Sequence, residues 1–304
     1  LPVRLCVSVF LAPLRWVLVP LRRVQWLGRL GLRAAFLTPF ALCSWPFALL
    51  AAEPPTYYVN VANPTPVAPY TSWATAATGI QEAIDAGGEA GRLVLVTNGV
   101  YRTGSGAGNG LNRVALPSGV TVQCVNGPDV TIIEGAPAPS GGDGRGAIRC
   151  AYVGAEAVLS GFTLRGGHGT SSMWGNVGGG ACSEPSGVLT NCVLTGNAAS
   201  SGAGASGGTL RNCTLATNLG DGASSSTLHN CAVVSNSGIG AVWCTLHNCT
   251  VTGNAGAGAS SSTLYNCTLT GNASLGANDS KLYNCIAYDN GAERLTNYAW
   301  CTLE

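Results

Sequence analysis

Charge is scarce in this sequence: Asp, Glu, Lys and Arg together make only 10% of its 304 residues. What charge there is divides unevenly. Residues 1–52 carry Arg4, Arg15, Arg22, Arg23, Arg29 and Arg33 and no acid, so the rest keeps nine basic against fourteen acidic residues, a net of −5. A body of that sign has no cationic face for nucleic acid, which excludes that class of partner. Low charge beside 46% hydrophobic residues is also the reverse of a disordered composition. Thirteen Cys occur without a single CxxC pair, so the commonest zinc and redox spacings are missing. Methionine is absent except for Met173, and the first residue is Leu. Translation is therefore expected to begin at a non-standard codon, or residues 1 to 25 or so lie upstream of the true start.

The opening 52 residues read as an export signal. Arg-rich sequence ends at Arg33, residues 34–52 have no charge, and small residues precede Glu53-Pro54-Pro55. A positive segment, an apolar stretch and a small-residue exit describe a secretory signal peptide, with cleavage expected near Ala51 or Ala52. A membrane anchor stays open, because nineteen uncharged residues just span a bilayer of roughly 30 Å. Pro39, Pro46 and the small-residue exit favour cleavage. Cys43 follows Ala41-Leu42, which is a poor lipoprotein site.

Gly, by contrast, is abundant at 43 residues, and it belongs to a repeat. The phrase TLHNCTVTGN at residues 245–254 returns as TLRNCTLATN from Thr209, TLHNCAVVSN from Thr227, TLYNCTLTGN from Thr263 and KLYNCIAYDN from Lys281. Its Cys falls at 192, 213, 231, 249, 267 and 285, one step of 21 and then four of 18. Gly-Ala recurs in each unit (Gly222-Ala223, Gly240-Ala241, Gly258-Ala259, Gly276-Ala277), and a looser copy at residues 158–167 has Phe162 in place of the Cys. Self-similarity at such a period is the signature of a solenoid.

The side-chain periods choose the solenoid. Cys249 and Val251 are two apart, as on one face of a strand. Leu246 is three before Cys249, so the chain must bend at His247-Asn248 for both to face inward. Asn tolerates the left-handed conformation that such a corner needs. Each unit is then one coil of short strands, and equivalent residues of successive coils stack about 4.8 Å apart. Asn212, Asn230, Asn248, Asn266 and Asn284 form one amide ladder. Asn197, Asn218, Asn236, Asn254, Asn272 and Asn290 form a second. Cys213, Cys231, Cys249, Cys267 and Cys285 form a core column of small hydrophobes. A residue needed six times is scaffolding. A left-handed helix of 18-residue coils is the rival, but it wants an aliphatic residue every six positions, against the three-then-two spacing here.

These residues resemble the right-handed parallel β-helix proteins of the pectin-lyase-like superfamily, whose corner asparagines stack in this way. The Leu/Val-x-x-Asn element with Gly178-Gly179-Gly180-Ala181 also resembles the polymorphic outer-membrane protein repeat, which has Phe where this chain has Leu or Val. Residues 72–101 resemble the entry of such proteins: an amphipathic helix through Ile80, Ala83 and Ile84 over the open end, then a strand and the Asn98-Gly99 turn. The expected organisation is all-β: a signal or upstream extension at 1–52, an N-terminal strand and capping helix at 53–90, irregular coils at 91–185, and regular 18-residue coils at 186–304. The repeat at Trp300-Cys301-Thr302-Leu303-Glu304 breaks off where Asn-Cys should follow, so a longer protein is expected.

The resemblance implies a fold that hosts lyases, hydrolases, adhesins and inert spacers, so chemistry has to be sought residue by residue. Lyases of the superfamily use clustered acids for Ca²⁺ and a basic Lys or Arg. Between residues 186 and 280 the only charges are Arg211, Asp221 and Asp279. The looser coils gather Asp143, Arg145, Arg149, Glu156, Arg165 and His168, and Gly167-His168-Gly169 resembles the Gly-His-Gly of polygalacturonases. That family's paired aspartates and Arg-x-Lys are missing, which leaves a Gly-rich loop at 166–180 with an exposed His. The position before each corner Asn faces out and reads Arg211, His229, His247, Tyr265, Tyr283. His229, His247, Tyr265 and Tyr283 are candidate glycan contacts through their rings. A metal shared by His229 and His247 lacks a third ligand beside it.

No cofactor and no metal are expected. Neighbouring Cys sit inside disulfide range if the protein is exported, with buried free thiols the preferred reading; Cys244 and Cys301 fall outside the column and are expected at the surface. The sequence thus points to an exported bacterial protein, secreted or on the cell surface: a structural or surface-binding β-helix of the adhesin or stalk kind, with polysaccharide or cell-surface glycan as partner. Membrane contact would come only through an uncleaved N-terminus, and nothing fixes an oligomeric state. The alternative is a carbohydrate-active enzyme, a polysaccharide lyase or glycoside hydrolase, with its site in residues 92–185 or beyond Glu304.

Overall fold

The computed structural model describes residues 54–88, 91–170, 176–291 and 297–304. The expected signal with Cys43 and its cut, and the part of the Gly-rich loop holding Met173, lie outside these residues. The described residues form one compact unit.

Each circuit lays one short strand in each of three sheets. The coil that begins at Thr245–His247 in sheet A continues through Thr250–Thr252 in sheet B and Ala259–Ser260 in sheet C. Every one of these strands pairs in parallel with its equivalent on the next coil: Thr245 with Thr263, Thr250 with Thr268, Ala259 with Ala277. Among the described residues the sheets hold eleven, nine and ten strands. The fold is a right-handed parallel β-helix, as the spacing predicts. Phe162 takes the Cys position of its coil and is fully buried.

One device turns all three corners of a coil. A residue in left-handed conformation is followed by an inward polar side chain that accepts the backbone N–H of its equivalent on the preceding coil. Between sheets A and B, Asn248 has φ 54° and the Cys249 sulfur accepts from the Cys231 amide at 3.4 Å. Between B and C, Gly253 has φ 67° and Asn254 Oδ1 accepts from the Asn236 amide at 3.0 Å. Between C and A, Ser261 has φ 49° and Ser262 Oγ accepts from the Cys244 amide at 3.0 Å. Buried amides must find partners, and a corner is where strand pairing cannot supply one.

This corrects the expectation for Cys244. It is 3% exposed, because it belongs to an inward Ser226–Cys244–Ser262–Ser280 column at the third corner, and its sulfur accepts the Ser226 amide at 3.5 Å. Cys301, in the same register, is half-buried.

The two Asn ladders differ in kind. The second is buried: Asn236 Nδ2 donates to Asn254 Oδ1 at 2.9 Å and to the Leu215 carbonyl at 3.0 Å, and Asn254 and Asn272 repeat the pattern. The first, through Asn212, Asn230, Asn248, Asn266 and Asn284, is exposed, with side-chain bonds of 2.7–3.4 Å. The repeated Gly-Ala follows from the buried ladder. A Cβ on Gly258 would lie 2.5 Å from the Gly276 carbonyl and 2.7 Å from Asn272 Nδ2, so no larger residue fits, while Ala259 supplies the inward methyl. The remaining core is the Leu210–Leu228–Leu246–Leu264 column, wholly buried; each Leu contributes roughly 1.5–3 kcal/mol.

At the N-terminal end the helix Ile80–Ala86 buries Ile80, Ala83 and Ile84 against the first coils, as its amphipathic pattern predicts. Glu82 accepts the Gly79 N–H at 3.2 Å, closing the first turn, and Gln81 Oε1 accepts the Ala115 N–H at 2.8 Å, tying the cap to the solenoid.

Candidate functional site

On the outer face of sheet A the predicted column forms. His229 stacks on His247, His247 on Tyr265 and Tyr265 on Tyr283, each with centroids 4.8 Å apart and planes within 5–12°. The spacing is that of the coils. Because each ring covers its neighbour, the faces are spent within the column, and solvent meets ring edges: imidazole nitrogens and phenol hydroxyls in a row. Imidazole lone pairs lie in the ring plane, so the two parallel His rings aim them side by side and not at one shared ion. Burial, then the neighbouring Arg211 and His247, lower the His229 pKa.

A second surface, missed in the sequence, runs along the corner between sheets C and A. Ser225, Trp243, Ser261, Asp279 and Trp300 occupy equivalent left-handed positions, with φ between 47° and 53°. Ser and Asp suffice there, yet two of the five are Trp, 64% and 85% exposed. Three coils separate them, about 14 Å at the strand spacing. A groove of about 700 Å³ opens on the N-terminal side of Trp243, three coils long, lined by Glu184, Ser206, Ser224 and Ser225 among others. At its N-terminal end, Cys182 to Val188 spans three residues more than the equivalent Ser206 to Thr209, so the corner there is longer than the regular ones. Glu184 is held there by the Tyr152 hydroxyl, which donates to its Oε1 at 2.5 Å. Burial and that hydrogen bond push the Tyr152 phenol above its ordinary range, so it stays a donor. Ser183, 5% exposed and also lining the groove, has an Oγ with no hydrogen-bond partner.

The irregular coils bring together only part of the predicted charged cluster. Asp143 Oδ1 meets His168 Nδ1 at 3.0 Å, and Arg165 pairs with Glu134 at 3.3 Å. His168 is therefore not the exposed residue expected: its side chain is 18% exposed, seated on Asp143. Arg149 is fully buried and donates to the Val177 and Asn109 carbonyls at 2.7 Å. Arg145 and Glu156 are exposed and stand apart from the pair.

The described cysteines are free thiols. Burial pushes Cys150 and Cys244 up to about 12, which keeps them protonated and inert. At the less buried end of the column, the Cys267 thiol hydrogen-bonded to Cys285 holds Cys285 below the usual thiol range. Among the described residues no three His, Cys, Asp or Glu side chains converge on a metal position.

No protein-family model and no curated protein matches the sequence, so the resemblance to the polymorphic outer-membrane protein repeat rests on its residues alone. Solved structures do match. The chain is similar to the A-module of the Azotobacter vinelandii mannuronan C-5 epimerase AlgE4, at 17% identity over 74% of this chain and 68% of that one, TM-score 0.47. It is similar to the pectin methylesterase PemA from Erwinia chrysanthemi (11%, 76% and 81%, TM-score 0.44). It is also similar to the pectate lyase Pel9A (14%, 80% and 66%, TM-score 0.42). At such identities the likeness concerns the fold.

Proposed function

We propose that this chain is the rod of an exported bacterial β-helix that binds polysaccharide along one edge, as a surface-attachment or stalk protein. The observation that carries this reading is the placement of Trp243 and Trp300 on a single corner column. An L-residue in left-handed conformation costs about 1–2 kcal/mol wherever it stands, so the corner itself explains the backbone but not the indoles. Exposed large apolar side chains are unremarkable singly. Two on one line of a straight rod present flat faces to a chain polymer lying along it, where pyranose C–H groups pack. Unlike the His229–Tyr283 column, these rings have uncovered faces. That column adds hydrogen-bonding edges on the adjoining sheet.

The test is retention of the full chain on polysaccharides, with W243S and W300S as variants. Ser225 and Ser261 flank Trp243 at this corner and Asp279 precedes Trp300, so small polar residues are accommodated there and both variants are expected to fold. Loss of retention in the double variant supports the reading; unchanged retention, or none in the native chain on any glycan tried, overturns it.

The alternative, an enzyme cleaving polysaccharide, draws support from one observation, the oriented Asp143–His168 pair. An imidazole fixed through Nδ1 leaves Nε2 for acid–base work. Release of unsaturated or reducing ends by the native chain, lost in H168A, would favour it.

A further inference from the structure

Resting on that reading of the Trp243 edge, we infer that the groove between Glu184 and Trp243 takes a glycan without acidic groups, neutral or amino-substituted, and rejects polyuronates. The charges decide it. Among the described residues lining the groove, Glu184 is the only charged one. The nearest cation, Arg149, lies beneath the floor, wholly buried, with its donors turned to the Val177 and Asn109 carbonyls. Arg211, the lone base of residues 186–280, is on sheet A, a different face. A uronate carboxylate entering here would find no accessible cation beside it, only the like charge of Glu184, and like-charge juxtaposition is disfavoured.

A hydroxylated sugar meets the opposite situation. Glu184 is oriented by Tyr152 through Oε1, which leaves Oε2 to accept from ligand O–H or N–H groups. Ser206, Ser224 and Ser225 add hydroxyls or turn-exposed backbone along the floor. Trp243 closes the far end with an open indole face. Three coils at the strand spacing give about 14 Å, room for a short oligosaccharide lying parallel to the rod axis.

The experiment is affinity electrophoresis and calorimetry of the full chain with galactomannan and hydroxyethylcellulose, with chitosan oligomers, and with polygalacturonate and alginate. Retention by a neutral or amino-sugar polymer and not by the acidic ones is expected, the two arms distinguishing plain hydroxyls from ammonium groups as the partner of Glu184. W243S weakens that binding about tenfold or more, and E184Q weakens it about tenfold, with unchanged circular dichroism and thermal midpoint as the folding control. E184K is expected to gain affinity for polygalacturonate. If the native chain binds polygalacturonate or alginate through the groove, so that W243S abolishes it, the charge inference is wrong while the binding edge stands. If nothing in any arm binds, the binding edge itself falls. If neutral glycans bind and W243S and E184Q bind them equally well, the groove is not the place.

Discussion

The corner residues divide into those that face water and those that hold the coil together, and the sequence writes both with the same letter. Asn248 and Asn254 sit six positions apart in one repeat, yet only Asn254 is buried and bonded to Asn236 above and Asn272 below. N254A would strip acceptors from the Asn236 amide and side chain, so a loss of about 3 kcal/mol is expected in urea unfolding. N248A removes two exposed bonds and puts Ala in a left-handed corner, which together should cost about 1–2 kcal/mol, less than N254A. Equal losses would show that the ladders do not differ as described. The thiols allow a second check at this scale. Cys285, held low by Cys267 and only partly buried, is expected to be alkylated first at neutral pH, while Cys231, Cys249 and Cys267 react only after unfolding. Mapping of modified peptides reads this directly.

At the scale of elements, the ring column couples a sheet face to pH. The pKa of His229 is lowered from its ordinary value, by burial first and then by Arg211 and His247. The unfolded chain therefore binds that proton at a higher pH than the folded one. Stability is fully present above about pH 6.5, the ordinary His value, and declines as the pH falls through the lower folded value. The thermal midpoint is expected to drop between pH 7 and 5, and H229Y, which continues the stack with the ring found two coils on, should flatten that part of the profile.

The same column shows how far the sequence could be read. Period and spacing sufficed to stack His229 on His247 and Tyr265 on Tyr283, because each is set by one local rule repeated. The inward fate of Cys244 was equally available, since Ser226, Cys244, Ser262 and Ser280 recur at eighteen residues. It was hidden by the louder Asn-Cys phrase, although Trp243-Cys244-Thr245 is the same corner with a different left-handed residue. The groove was not legible at all. It is assembled from residues some sixty apart, and it borders a corner three residues longer than that of the following coil, whose significance appears only once coils are stacked. The Asp143–His168 pair is hidden likewise, because it joins loops of different coils.

At the scale of the molecule, eighteen residues close each circuit of the regular coils. Deleting residues 245–262 joins Cys244 to Thr263 and should leave a folded rod shorter by about 4.8 Å, with a cooperative thermal transition and unchanged strand content. Deleting residues 245–253 alone joins Cys244 to Asn254, throws the inward and outward sets out of phase from that point, and should abolish the transition. Circular dichroism and small-angle scattering separate the outcomes. A nine-residue deletion that still melted cooperatively would mean the coils tolerate a slip that the ladders forbid.

The corner amides have a direction, and it gives the rod an order of construction. Each donates to a side chain eighteen residues downstream, so these three amides of a coil are satisfied only once its successor is in place. A polypeptide emerging N-terminus first would seal each layer as the next arrives, laying courses in the order in which they appear.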